Sequence, residues 1–495
     1  MLTAVRRSIL CLVAFVPSGF ADDTEAYRWP LDQPRVLTSS FGEYRSAGYH
    51  MGIDLRTGPI GKHVYAPAGG YVERIRCSPY GYGKAVYFRL DDGHTFVYAH
   101  LDDYADVLRE YVRSEQHRRE VYEVDLYPEK DRFRFQRGEL LAFSGQTGIG
   151  APHLHYEVRN GAGEPIDPRT IGIDWPDSTS PTIRSIAVEP ATPLSAINGQ
   201  YLPLTLAPRS ESGTLITDRV RASGPVRFSV SATDTEGAAG TRLGIAGGTV
   251  VAGTEDVFQF KFSRIPYDVY RDGAVAYHPY IRGSGRYLAF WPWPNNRVPA
   301  YAYANGSGAV DPGSGAAVVV VRDAHMNQRS IRIPLELAAL ADVSGPATGT
   351  AASGTVRFEP VATWLVCVVR FSAAEATTPV ARITGSNGSE RAMIRVSAQE
   401  FHLPIEAAPE ADQLIVRVDH PRVDPSPWAF GVMHRGTRPG VFEQSGLRIE
   451  GSANTAFGTV IFSAGVMWFA MLDTFSFAVA VLIATGLGHA VFSAC

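Results

Sequence analysis

The chain is 495 residues long, 45% hydrophobic, 11% aromatic and 19% charged. That is globular composition at a length for about three domains, which excludes wholesale disorder and collagen-like structure. The 46 basic and 50 acidic residues leave a net charge of -4, so the chain has no global nucleic-acid footprint. Glycine (48) and proline (33) are abundant, which favours short strands and many turns over long helices.

The N-terminus reads as an export signal. Arg6 and Arg7 precede an apolar run, Ile9 to Val16, and Gly19-Phe20-Ala21 puts small residues where a signal peptidase needs them, with a cut after Ala21. The alternative is a buried N-terminal strand. Cys11 would leave with the signal, so Cys77, Cys367 and Cys495 remain. Three distant cysteines form neither a disulfide framework nor a zinc-finger spacing.

Residues 22–175 hold seven of the 13 histidines, all between His50 and His155. Ala85 to Leu90 and Thr95 to Tyr98 flank Asp91-Asp92-Gly93-His94, a hairpin signal. Asp103 to Glu120 has apolar residues at Tyr104, Val107, Leu108, Tyr111 and Val112. That spacing predicts a surface helix inserted between strands. Its acids nearly cancel its bases, which argues against a nucleic-acid patch. Residues 174–183 read as a linker. From 183 to 337 short alternating strands recur, as in Val226 to Ala232 and Val257 to Phe262, and a turn at Asp323–Asn327 joins two more. This predicts a β-sandwich-like domain. A second linker, 338–354, is rich in Ala, Gly, Ser and Thr. It leads to a further β-rich domain, 355–452, with strands such as Trp364 to Phe371 and Gln413 to Val418. Trp291-Pro292-Trp293-Pro294 offers rings for stacking on sugars, or a buried tryptophan pair. In the tail, 453–495, Ala456 to Leu472 carries no charge, and Thr474 to Cys495 has only His489 besides the final cysteine. Each half approaches the length that spans a bilayer, making the tail a candidate membrane anchor. Asp473 and the lack of flanking basic clusters count against that, and buried strands are the alternative.

Three short motifs of the first domain carry chemistry: His50-Met51-Gly52-Ile53-Asp54, Tyr98-Ala99-His100-Leu101 and His153-Leu154-His155-Tyr156-Glu157-Val158. The last alternates as a strand with one polar and one apolar face, so His153 and His155 share a side. His50 and Asp54 add a nitrogen and an oxygen donor around a glycine turn. Catalytic zinc takes three protein ligands and keeps one position for water. No His-Glu-x-x-His helix is present, which excludes the common helical metalloprotease arrangement.

In order and context these motifs resemble the lysostaphin-type (LytM-like) zinc metallopeptidases of bacterial cell walls. Leu37 to Gly42, Ala66 to Val72, Gln136 to Glu139 and Gly145-Gln146-Thr147-Gly148 are similar to that family's flanking segments. The resemblance covers about residues 33–170. It implies one Zn²⁺ held by His50, Asp54 and His155, with His100 and His153 as catalytic residues beside the water. It does not say which histidine is the base. Glu157 is a candidate orienter of His155 or an exposed strand carboxylate. Ile149-Gly150-Ala151 replaces a slightly longer stretch of the family, and the charged insertion Asp103 to Gln136 is longer than in its minimal domain. His63, His94 and His117 match no family position and are expected in solvent.

The expected fold class is mainly β: an antiparallel β-sheet peptidase domain with an inserted helix, two β-sandwich-like domains and a hydrophobic tail. The implied function is an exported zinc endopeptidase, in the periplasm or cell envelope, acting on peptidoglycan peptides. The alternatives are a catalytically inactive regulator of another hydrolase, and an envelope-binding protein that works through its β-rich domains.

Overall fold

A computed structural model of the chain describes residues 25–451, except 46–47, 237–239, 279–280, 282–285, 293–296, 299, 303–305, 340–347, 349–352, 362–363, 387–389, 409–410, 412 and 434–445. The expected signal, the hydrophobic tail, Cys495 and Trp293 lie outside the described residues. The described chain is mainly β, built of several antiparallel sheets with few helices.

The first sheet has 11 strands, and its central row runs Leu37–Ser39, Ile53–Leu55, Leu154–Arg159, Thr95–Tyr104, Lys84–Leu90, Gly70–Cys77. The Asp-Gly signal forms its hairpin, with Gly93 at φ 96 between Lys84–Leu90 and Thr95–Tyr104. The inserted helix spans Asp106–Arg119 and buries Leu108 and Val112. Its charged positions pair with one another on the surface, as Glu115 does with Arg118 and Arg119. Helical spacing thus buries one narrow stripe and leaves the rest in water. His63 and His117 are exposed as expected, whereas His94 is half-buried against the Tyr27 ring.

The next region contributes a 5-stranded sheet around Thr182–Pro190 and Val226–Glu236 and an 8-stranded sheet around Gly247–Ala252, Ala316–Arg322 and Gln328–Leu337. Its strand Val226–Glu236 extends the run read at Val226 to Ala232, and Glu255–Lys261 overlaps that read at Val257 to Phe262. The region does not stand apart from the first sheet. One continuous apolar cluster runs from Trp29 and Leu37 through Tyr156 to Phe262, Phe290 and Ile333. In the stretch 174–183, expected to be a linker, Trp175 is only 4% exposed. Composition marked the boundary, but an aromatic ring there closes it.

The third region pairs a 4-stranded sheet containing Trp364–Phe371 with a 5-stranded sheet containing Gln413–Asp419. Phe358, Cys367 and Phe401 from one meet Ile383, Val416 and Phe430 from the other in a separate core. Trp291 is fully buried. Its indole N–H reaches Glu189 and Ser229, and Arg227 lies 3.5 Å over its ring. It is therefore a core residue rather than a sugar platform. Cys77 and Cys367 are buried free thiols.

Phe262 joins the first two regions. It is fully buried, its ring centroid lies 5.3 Å from that of Tyr49, and it leaves no room for a side chain at Gly42. Phe262→Ala is expected to cost about 3–5 kcal/mol. Because the core is continuous, the loss should appear as one shifted transition for both regions. Chemical denaturation followed by tryptophan fluorescence and by circular dichroism checks this: two separated transitions would contradict a shared core.

Candidate metal centre

The strand register assembles the site. Leu154–Arg159 lies between Ile53–Leu55 and Thr95–Tyr104, and His155 faces Asp54 on one side and Ala99 on the other. Leu154, Tyr156 and Val158 point into the core, fully buried. Alternation therefore turns His155 and Glu157 to the opposite face. His153 precedes the strand and bridges Gly145. His100 sits at φ 59 within Thr95–Tyr104, where the register with Lys84–Leu90 shifts. A left-handed non-glycine residue costs on the order of 1–2 kcal/mol. Here it re-aims the His100 ring, whose centroid lies 4.6 Å from that of His153 and 6.0 Å from that of His155.

The three expected ligand atoms converge. His50 Nε2 lies 3.0 Å from His155 Nδ1 and 3.2 Å from Asp54 Oδ1, and His155 Nδ1 lies 3.0 Å from Asp54 Oδ1. All three residues are buried. Backbone carbonyls fix the histidine tautomers, since a carbonyl can only accept. His50 Nδ1 donates to the Ser40 carbonyl (2.9 Å), His100 Nδ1 to that of Thr147 (2.8 Å) and His153 Nδ1 to that of Ala151 (2.6 Å). Each neutral ring then has its lone pair on Nε2. His153 Nε2 is 3.6 Å from Asp54 Oδ1, buried and without a hydrogen-bond partner. Converging nitrogen lone pairs beside a carboxylate fit a divalent cation such as zinc.

The field agrees. Burial lowers His50, and it pushes His100 down to about 4, so both rings are neutral near pH 7. Burial would also lower His155, but the Asp54 and Glu157 carboxylates outweigh it and raise it to about 9. For Asp54, burial alone would raise the carboxyl, yet His50 and His155 hold it well below the usual range. The centre thus favours positive charge between its carboxylates.

Glycine at position 52 has a local reason. A side chain there would place its Cβ 2.6 Å from the Tyr156 carbonyl oxygen, so only glycine lets the two segments approach.

No family model matches the chain. The DD-carboxypeptidase/endopeptidase Mpg of Neisseria meningitidis is 30% identical over 131 residues, which are 26% of this chain and 24% of that protein. An uncharacterized metalloprotease of Haemophilus influenzae is 29% identical over 151 residues, 29% of this chain and 26% of its own length. The chain thus spans about a quarter of the length of these curated relatives. Among solved structures, a zinc-containing peptidase from Vibrio cholerae aligns at 27% identity over 31% of this chain and 41% of that one, with a TM-score of 0.23. The catalytic domain of the M23 protein EnpA from Enterococcus faecalis aligns at 24% identity over 28% and 93%, with a TM-score of 0.22. About 30% of this chain is a LytM-type zinc peptidase domain.

The LytM-type domain has further residues at its centre that sequence reading did not name. Arg45 pairs with Asp54 Oδ2 and donates to Ser39 Oγ at 2.8 Å. Glu157 is fully buried, not an exposed strand carboxylate, and its Oε2 lies 3.6 Å from His155 Nε2. Burial would raise it, but His155 and Arg159 hold it at about 2. Three donors from three segments surround it: Tyr82 (2.8 Å), Arg159 (2.7 Å) and the hydroxyl of Tyr267. Tyr82 stands in a visible Tyr-Gly-Tyr-Gly run. Tyr267 gave no signal, because it comes from the β region 110 residues further on.

A buried carboxylate that loses a donor shifts toward the charges that remain, here Arg159 and His155. Tyr267→Phe removes one hydrogen bond to a charged group, about 1.5–3 kcal/mol. It is expected to weaken zinc binding about 10–100-fold, the usual cost of disturbing a ligand's supporting partner. Chelator competition measures this, and unchanged affinity in a folded variant would show that the contact does not orient His155.

Proposed function

We propose that the protein is an exported zinc metalloendopeptidase that hydrolyses peptide bonds in peptidoglycan stems or cross-links. The observation that carries this reading is the convergence of His50 Nε2, Asp54 Oδ1 and His155 Nδ1 within 3.2 Å of one another, with the His153 lone pair turned to the same point. The substrate class is supported by the DD-carboxypeptidase/endopeptidase among its relatives, and export by the signal-like first 21 residues. These support a place of work in the periplasm or cell envelope.

His50, Asp54 and His155 would hold the zinc. When bound, zinc lowers the pKa of a water toward about 7 and polarises a carbonyl oxygen. The chain supplies the rest. His100 and His153 lie beside the ligands with Nε2 free, each ring locked by a carbonyl at Nδ1. Held so, one ring can take a proton from the attacking water at Nε2 and, protonated there, hydrogen-bond the developing oxyanion or return that proton to the leaving amine. His100, neutral because burial pushes it to about 4, is ready to accept. Fixing both rings before substrate arrives removes the reorganisation that a mobile base would need.

The test uses chain lacking residues 1–21, loaded with zinc and incubated with purified peptidoglycan. Newly released amino termini are expected. They should fall to background in Asp54→Ala, and by about 10²–10⁴-fold in His100→Ala and His153→Ala, the usual worth of a general acid or base. Zinc bound without release of amino termini would instead favour an inactive regulator of the same fold.

A further inference from the structure

The chain leaves the peptidase sheet through residues 174–177 and immediately meets the turn 323–327, which joins Ala316–Arg322 to Gln328–Leu337 in the 8-stranded sheet. The Trp175 ring stands edge-on to His325, with centroids 5.2 Å apart. Asp323 braces the turn by accepting from Asn327 N (2.9 Å) and Nδ2 (2.8 Å), and Met326 takes φ 65.

The proton positions on His325 follow from its neighbours. Its Nε2 lies 2.6 Å from the Trp175 carbonyl oxygen and 3.0 Å from Asp174 Oδ1. Both only accept, so Nε2 carries the hydrogen. Its other nitrogen, Nδ1, faces Asp177 Oδ2 at 3.8 Å. That nitrogen is buried and has no hydrogen-bond partner. The His325 side chain is 10% exposed, that of Asp177 2%, and Asp323 is 1% exposed. Ligand atoms of all three residues lie within 4.8 Å of one another. The nearby guanidinium of Arg169 is spent on Asp174 and the Ala324 carbonyl. Two carboxylates gathered away from water, beside a ring nitrogen without a hydrogen-bond partner, call for positive charge between them.

We propose that Asp177, Asp323 and His325 form a second divalent-cation site, of the kind zinc occupies, that clamps the exit of the peptidase domain to the following β region. An imidazole with two carboxylates suits a borderline cation such as zinc, whereas calcium prefers six to eight oxygens. Tetrahedral zinc sets neighbouring ligand atoms about 3.3 Å apart. The 3.8 Å separation of His325 and Asp177 therefore closes with a shift of about half an ångström. The site is structural, because it joins two segments about 150 residues apart and is enclosed by Trp175. It rests on nothing assumed about the peptidase centre.

The test counts zinc in the full chain, by elemental analysis after gel filtration, with Asp54→Ala isolating the second site. The Asp54→Ala chain is expected to keep one zinc, and zinc should raise its melting temperature. Adding His325→Ala or Asp177→Asn should weaken that binding at least about a hundredfold and remove the thermal shift. Asp177→Asn retains the acceptor that Thr179 uses, so it separates loss of metal from loss of fold. A folded Asp54→Ala chain without zinc would overturn the proposal. So would zinc that persists unchanged in both double variants, or a thermal shift produced by calcium and not by zinc.

Discussion

The structure depends on one register: His155 opposite Asp54 on one side and Ala99 on the other. A one-residue slip of Leu154–Arg159 would turn His155 and Glu157 into the core and carry Leu154 and Tyr156 out of it. The apolar face forbids this. Tyr98, Tyr156 and Phe96 are fully buried and stack at 5.4–5.6 Å between ring centroids. Burying such a ring against apolar partners contributes about 2–3 kcal/mol, so a slip that moved it among polar groups and put two charged side chains into the apolar core would cost more than the sheet could recover. The core beneath the strands therefore holds the polar geometry above them.

Around that register the charges are arranged so that few are alone. Asp54 faces Arg45, and Glu157 faces Arg159 with two tyrosine hydroxyls. Burial pushes both hydroxyls well above the ordinary tyrosine range, which keeps them protonated and able only to donate to Glu157. Removing the buried carboxylate's donors would leave charge in a dry place, at several kcal/mol. The donors hold Glu157 3.6 Å from His155 Nε2, so its charge reaches the ring whose Nδ1 faces Asp54.

The sequence made some of this legible and hid the rest for a physical reason. Alternation in His153 to Val158 told which side His155 and Glu157 face, and the helix read over 103–120 forms at Asp106–Arg119. The ligand set was named from motifs, and the fold brings those residues together. Depth was not legible. Period two distinguishes the faces of a strand but not whether a face meets water. Glu157 is buried because Tyr267 arrives from 110 residues away, and no local pattern encodes that. The stretch 174–183 misled similarly: Asp, Pro and Ser mark a boundary, yet Trp175 packs on a turn 150 residues further along.

These distant contacts change what the peptidase domain is. The turn Ser40–Glu43 leads into the hairpin that carries Arg45 and delivers His50. Gly244 N donates to Ser40 Oγ at 3.0 Å, Tyr44 packs on Tyr277, and at Gly48 a Cβ would lie 2.4 Å from the Tyr270 carbonyl. The β region therefore supports both ends of the ligand set: His50 and Asp54 through the hairpin, and His155 through Tyr267 and Glu157. A rigid-body swing of that region would break a buried, charged hydrogen bond and open a continuous core at the same time. Domains that move freely meet across polar interfaces, whereas here one apolar cluster runs through both regions. The two regions consequently act as one folded unit. The candidate metal centre belongs to that unit rather than to the first sheet alone, so a boundary drawn near residue 175 would cut through its support.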